Sequence, residues 1–422
     1  MRKVVFGLWF VVVLRRAARS WAPGPKLRAA TPLREQAELE SVIGREDDKW
    51  FMLPPDETRV EPIPVHYSVV DGGDAKLPVV CLHGFGVGEF HWEGTVATMA
   101  TASGPRRVYA MDWIGQGRSW PVKDPKGLKV SADTWIAQLE AFLEHVVLER
   151  EKGPQGQHHD RGEPPKRKAV LAGNSLGGFL AAVLAARRPD LVAGLCLLNA
   201  APFWGFFPRF LEKVVWDATL PAPSAASKVG SAWFDVLKNR RTVESLLRDV
   251  YAAPEEITED LIDKIIAATQ TEFGPDVFTS IVFSPAPRES FDEALSTACL
   301  DHDIPVALVY GRDDPWVFPA WGQRAYRRLD RRASYYELSN TGHCPHHESP
   351  IATSLCLAEI LDSFDEKADE KKASYDDFLL RGGPRVGKST SVLETGGREV
   401  VIRRVDGKPR TLVERACRFA WG

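Results

Sequence analysis

The sequence predicts an α/β fold in which a mostly parallel sheet is flanked by helices and carries an inserted helical cap. Three observations predict it. Short apolar runs at 78–82, 107–111, 168–173, 194–199, 305–310 and 334–338 are interleaved with stretches of helical period. The runs are nearly continuous rather than alternating, as in strands covered on both faces. From 202 to about 294 the rhythm gives way to amphipathic helical segments with no convincing strand, which places a cap between two strands of the sheet.

At the N-terminus, Arg2 and Lys3 precede an apolar run from Val4 to Leu14 that ends at Arg15-Arg16. As a helix that run rises only about 16 Å, against a hydrocarbon core of about 30 Å. With small residues near Ala18-Arg19-Ser20 it reads as a signal peptide over 1–20, and a retained membrane anchor is the alternative. Residues 21–44 read as a transit-like leader, since the stretch from Trp21 to Arg34 is basic, acid-free and rich in Pro and Ala. An aromatic residue at the cut, Trp21, resembles the two-part leaders that carry proteins into plastids lying inside extra membranes. That resemblance implies a plastid location.

One domain is expected over 45–365. Within it, Trp135, Ile136, Leu139, Phe142, Leu143, Val146 and Val147 recur at helical spacing. The charged, Gly- and Pro-rich segment 150–168 is a solvated loop, with His158-His159 at the surface. An Ala-rich helix from Leu176 to Arg188 is stopped by Pro189. The cap, 202–294, carries two amphipathic sets: Val243, Leu246, Leu247 and Val250, then Leu261, Ile262, Ile265 and Ile266. A C-terminal extension follows over 366–422, in which 398–405 and 411–413 flank Asp406-Gly407 as a small hairpin.

Composition excludes little beyond nucleic acid. The 54 basic residues are scattered among 57 acidic ones, which leaves no basic patch. Six cysteines (Cys81, Cys196, Cys299, Cys344, Cys356, Cys417) stand singly, several in apolar runs, so they read as small hydrophobes in a reducing compartment.

The strongest chemical signal is Gly173-Asn174-Ser175-Leu176-Gly177, between an apolar strand and a helix. This is the nucleophile-elbow pattern of α/β-hydrolases, in which a sharp turn lifts the serine hydroxyl above the sheet. A serine hydroxyl is a poor nucleophile until a base takes its proton, so an acid and a histidine are required downstream in that order. Gly311-Arg312-Asp313-Asp314 follows one strand and Thr341-Gly342-His343 the last. Asp314 is the expected acid by its spacing from Gly311, with Asp313 a solvated or capping neighbour, and His343 is the base.

The oxyanion donors are expected to be the amides of Leu176 and of Phe85, in the loop His83-Gly84-Phe85-Gly86. His83 braces that loop, and Asp112 with its Gly-rich turn is scaffold. Haloalkane or epoxide opening would want a carboxylate at the elbow, so ester, thioester or lipid hydrolysis is left. No metal or organic cofactor is expected, although Cys344, His346 and His347 form a short His/Cys group. Gly382 to Ser389 satisfies the phosphate-loop pattern, but no buried strand feeds it and no helix follows. It reads as a polar linker.

Several stretches occur together in order: Gly84 to Gly88, Asp112 to Gly117, Gly173 to Gly178, Leu198 to Phe207, Tyr310 to Trp316 and Gly342 to His346. From about 60 to 365 the chain resembles the pheophytinase and chlorophyll-dephytylase family, plastid esterases that remove a phytyl chain from chlorophyll pigments. The resemblance implies Ser175 as nucleophile, Asp314 as acid and His343 as base. It also implies a lipophilic ester substrate such as pheophytin, with chlorophyll or another lipid ester as alternatives, and peripheral association with the thylakoid membrane. Two features set the chain apart: 121–135 is shorter than in plant members, and the tail past 365 lies outside the likeness. Phe203, Trp204, Phe206 and Phe207 at the start of the cap, with Trp316 beyond the acid, are the expected apolar substrate contacts. Each could instead pack the cap onto the core. A catalytically silent binding protein is the alternative from another class.

Overall fold

The computed structural model describes residues 45–56, 61–102, 105–148, 167–201, 216–369, 391–395 and 398–404. The expected leader (1–44), nearly all of the 150–168 loop, the phosphate-loop-like stretch and residues 411–413 lie outside the described residues.

Ten strands form one sheet: β1 (Arg45–Leu53), β2 (Ile63–Asp71), β3 (Val79–Leu82), β4 (Arg107–Met111), β5 (Ala169–Asn174), β6 (Val192–Leu198), β7 (Val306–Gly311), β8 (Ser334–Leu338), β9 (Ser391–Thr395) and β10 (Arg398–Arg404). Their order is β1-β2-β4-β3-β5-β6-β7-β8-β10-β9. The six strands from β4 to β8 are parallel, and an antiparallel pair closes each side. The six predicted runs are the six parallel strands.

Residues on the two faces of each strand enter two different cores, as the two-residue period of a strand requires. Val79 and Cys81 pack with Trp92, Met99, Leu357 and Leu361. Val80 and Leu82 pack on the opposite side with Trp135, Leu139, Phe179 and Leu180. Helices α1 (Glu93–Ala102) and, much later, α11 (Pro350–Asp369) cover the first face. The second is covered by α2 (Ala132–Phe142), α3 (Leu176–Arg187), α8 (Phe291–Ser296) and α9 (Pro319–Arg328). Five of the cysteines are buried and free, in keeping with their reading as small hydrophobes.

Between β6 and β7 the chain forms α4 (Ser224–Leu237), α5 (Arg240–Val250), α6 (Glu259–Ala267) and α7 (Gly274–Phe283). The apolar stripes predicted for 243–250 and 261–266 are the facing sides of α5 and α6, where Val243, Leu247, Leu261, Ile262 and Ile265 share one cluster.

The structure departs from expectation at both margins. β1 begins with five charged residues, and β2, which alternates Ile63, Val65, Tyr67 and Val69 into the core, buries His66 and Ser68 on its other face. Those polar groups are satisfied internally: His66 bonds Asp112 at 2.8 Å and Ser68 donates to Glu89 at 2.6 Å. In the tail, Arg398–Arg404 is a strand, but its hairpin partner is Ser391–Thr395 rather than 411–413. Its other edge bonds β8, so neither edge is left for a later strand, and Val400 is fully buried in the core.

Candidate active site

The site lies where strand order reverses, at the C-terminal ends of β3 and β5, as is usual for open α/β sheets. Ser175 sits between β5 and α3 with φ 51° and ψ −116°, a strained turn that only close packing sustains. The flanking glycines show why. A Cβ on Gly173 would fall 2.5 Å from the backbone of Gly177, and one on Gly177 would fall 2.4 Å from the Leu82 carbonyl oxygen. Strand and helix can pass this closely only when both positions lack a side chain.

Asp314 follows β7 and His343 follows β8, so neighbouring strands deliver them to one place. His343 Nδ1 lies 2.7 Å from Asp314 Oδ2. Asp313, by contrast, is exposed. Asp314 Oδ2 also accepts from Asn199 Nδ2 at 2.7 Å, while its Oδ1 accepts from the amides of Trp316 at 2.7 Å and Val317 at 3.0 Å. Burial raises the carboxyl of Asp314, but the imidazole and the two amides outweigh it and hold it below its ordinary value. Burial likewise works against a charged His343, and the Asp314 carboxylate overcomes that and raises the imidazole. With Oδ2 ionised, the Nδ1 nitrogen carries the proton, so Nε2 presents a lone pair.

The backbone of His343 is fixed at both ends. Its N–H donates to the Val250 carbonyl at 3.0 Å, and its carbonyl accepts from Asn174 Nδ2 at 2.9 Å. Among the described residues the Ser175 hydroxyl makes no hydrogen bond, so the link from Ser175 to His343 is open in this structure. In unliganded hydrolytic sites such links commonly tighten only with substrate.

Leu176 is the first residue of α3, and its amide has no partner a turn earlier within the helix. Gly84, beside Phe85, abuts Ser175. His83 is buried and braces this loop, bonding the Gly84 carbonyl at 2.7 Å through Nδ1 and accepting from the Trp113 amide at 3.2 Å through Nε2. Asp112 accepts from the amides of Glu89 and Arg118 and bonds His66, which is a scaffold role. Phe85 packs between the main core and the cluster of Phe234, Phe278 and Val282 in the cap. Trp316 packs against the α5/α6 cluster, its ring 5.9 Å from that of His343. Phe203, Trp204, Phe206 and Phe207 lie outside the described residues.

Asn199 was not singled out from the sequence. Its signal is its φ of 41°, a left-handed turn that asparagine tolerates better than most residues. That turn aims one amide at Asp314 while its Oδ1 accepts from Gly311 N at 2.8 Å.

Among the described residues no group of three or more His, Cys, Asp or Glu is arranged to hold a metal ion, and no helix is long and apolar enough to cross a membrane. His346 and His347 instead join a buried chain of hydrogen bonds. His346 Nε2 meets His91 Nδ1 at 3.1 Å, His91 Nε2 meets the Tyr251 hydroxyl at 2.7 Å, and that hydroxyl lies 3.2 Å from His347 Nδ1. Burial pushes all three imidazoles down, His347 to about 4. Because this folded value is depressed, the stability His347 contributes is present above pH 6.5 and is lost as pH falls toward 4. Between pH 6.5 and 5 that loss is about 2 kcal/mol. Urea unfolding at the two pH values is expected to show the unaltered chain losing about 2 kcal/mol more than His347→Gln. Equal losses would mean that His347 is not held neutral.

Residues 79–353 match the model of the alpha/beta hydrolase family. The chain is similar to chloroplastic pheophytinase of Arabidopsis thaliana, 33% identical over 327 residues covering 69% of this chain and 63% of that protein. It thus spans less than two thirds of that relative's length. It is also similar to the (lyso)-N-acylphosphatidylethanolamine lipase of Homo sapiens, 24% identical over 309 residues, 69% of this chain and 80% of the other. Among solved structures, the carboxylesterase CesB of Bacillus subtilis superposes with a TM-score of 0.51 at 18% identity, covering 77% of this chain and 95% of that one. The fold, the elbow and the family match agree: the chain belongs to the alpha/beta hydrolase family.

Proposed function

We propose that the chain is a serine carboxylic-ester hydrolase that removes the phytyl chain from pheophytin, with Ser175 as nucleophile, His343 as base and Asp314 as the orienting acid. The observation that carries the chemistry is the 2.7 Å bond from His343 Nδ1 to a buried carboxylate, which leaves Nε2 to accept a proton beside the elbow. Ser175 Oγ adds to the ester carbonyl as its proton passes to Nε2. The amides of Leu176 and Phe85 stabilise the oxyanion. Collapse breaks the bond to the phytyl oxygen, which takes the proton from His343 and leaves as phytol. Water, deprotonated by the same imidazole, then frees pheophorbide from the acyl-enzyme.

The substrate assignment rests on the likeness to chloroplastic pheophytinase. It is supported by two partly buried apolar residues, Phe85 in the loop beside Ser175 and Trp316 beside His343. Burying an isoprenoid chain there would contribute about 0.8 kcal/mol per CH₂. A plastid enzyme that meets its substrate at the thylakoid surface completes the reading. Incubation with pheophytin a, chlorophyll a and a short p-nitrophenyl ester, with products resolved by chromatography, tests it. Pheophorbide from pheophytin is the expected product. Cleavage of the short ester alone would keep the ester hydrolase and discard the pigment.

A further inference from the structure

One buried carboxylate near the site has no part in the chemistry above. Glu348 ends the short helix α10 (Pro345–Glu348) and is fully buried. Its Oε2 accepts from the amides of Gly342 at 2.9 Å, Ala252 at 2.8 Å and Ala253 at 3.2 Å, and its Oε1 from that of Cys344 at 3.0 Å. No cationic side chain pairs with it among the described residues; Arg398 bonds its main-chain carbonyl and leaves the carboxylate alone. A buried carboxylate without a counter-ion is tolerated only where hydrogen bonds replace water; burial pushes Glu348 up to about 7, and the four amides work against that rise.

The placement of the donors gives the group a meaning. Gly342 and Cys344 are the residues on either side of His343. Ala252 and Ala253 follow the end of cap helix α5, whose Val250 carbonyl already accepts from the His343 amide at 3.0 Å. The carboxylate therefore joins the base's loop to the foot of the cap at two points, and His343 is held between them.

Resting on the Ser175–Asp314–His343 reading, we infer that Glu348 is a positioning residue: it clamps the amides flanking His343 to the cap at Ala252 and Ala253, so that seating the cap and aligning the base are one event. Glu348→Gln is nearly the same size, but its NH₂ must face an amide that also donates. The loop then has to shift.

The test is the rate at which a fluorophosphonate labels Ser175 in the full chain, followed against pH, with KM for a short p-nitrophenyl ester measured alongside. In Glu348→Gln, labelling is expected to slow about 100-fold, the cost of displacing a reacting group by about 1 Å. KM is expected to stay near that of the unaltered chain. The pH of half-maximal labelling is expected to fall, because Asp314 and Glu348 are the carboxylates that favour the protonated imidazole and one of them is gone. Loss of the charge alone would move that pH and leave the limiting labelling rate at high pH unaltered, whereas loss of positioning lowers that limiting rate as well. Hydrogen exchange of the unaltered chain gives a second measure that needs no variant: segments 340–346 and 250–254 are expected to open together.

An unlabelled wild-type chain would overturn the serine-hydrolase reading and this inference with it. A labelled wild-type chain with Glu348→Gln equal in rate and pH midpoint, or independent opening of the two segments, would overturn the inference alone.

Discussion

Ser175→Ala is expected to lower kcat by about 10⁶-fold, the scale seen when the nucleophile of such a unit is removed. The folded chain is expected to be unharmed. Alanine can occupy the φ 51° turn as serine does, and the hydroxyl makes no hydrogen bond among the described residues whose loss would matter. What disappears, on the proposed mechanism, is the atom that bonds the acyl carbon. The remaining amides still polarise a carbonyl, so a residual rate above that of water is expected. Steady-state hydrolysis of a p-nitrophenyl ester, beside thermal melting of both proteins, reads the result. Turnover within tenfold of the unaltered chain would remove Ser175 from the mechanism.

Asp314→Asn is expected to lower kcat by about 10⁴-fold with little change in packing. The surrounding donors dictate why. Trp316 and Val317 both present amides to Oδ1, so the asparagine must keep its oxygen there. Its NH₂ group then replaces Oδ2 and points at His343 Nδ1 and at the Asn199 amide, both of which were donors. The imidazole answers by moving its proton to Nε2, the nitrogen that has to take one from Ser175. Base function is lost by tautomer rather than by displacement. The pH–rate profile of the variant separates the two causes, since activity carried by deprotonated imidazolate should rise steeply at high pH. A variant with near-normal kcat at neutral pH would mean that Asp314 does not set the tautomer.

The parallel interior is legible because it obeys local rules, and the positions proposed for the nucleophile, acid and base, Ser175, Asp314 and His343, are picked out by rules of the same kind. Strands buried on both faces must be apolar throughout, and an elbow needs small residues two places either side of its serine. Asp314 could be preferred to Asp313 by spacing alone, and the structure sets Asp314, not Asp313, against His343. The margins were harder. β1 is placed by pairing with β2 rather than by its own charged sequence, and β2 hides His66 and Ser68 behind partners that lie 20 to 50 residues away in the chain, at Glu89 and Asp112. Asn199 and Glu348 were missed for the same reason. Each acts on groups brought near only by the sheet, and no spacing in the sequence connects Glu348 to Ala252. The partner of the tail strand is not legible locally, because the Asp406-Gly407 turn signal is local while the open edge of β8 is a property of the whole sheet.

That edge has a consequence for how the molecule keeps to itself. A sheet that stopped at β8 would expose a row of unpaired amides and carbonyls beside Tyr336 and Leu338, a ready template for another chain. Strand β10 pairs with it, and Val400 is buried beneath. The C-terminal hairpin thus moves the free edge of the sheet from β8 to the five-residue β9, and an edge strand that short offers another chain little to pair with.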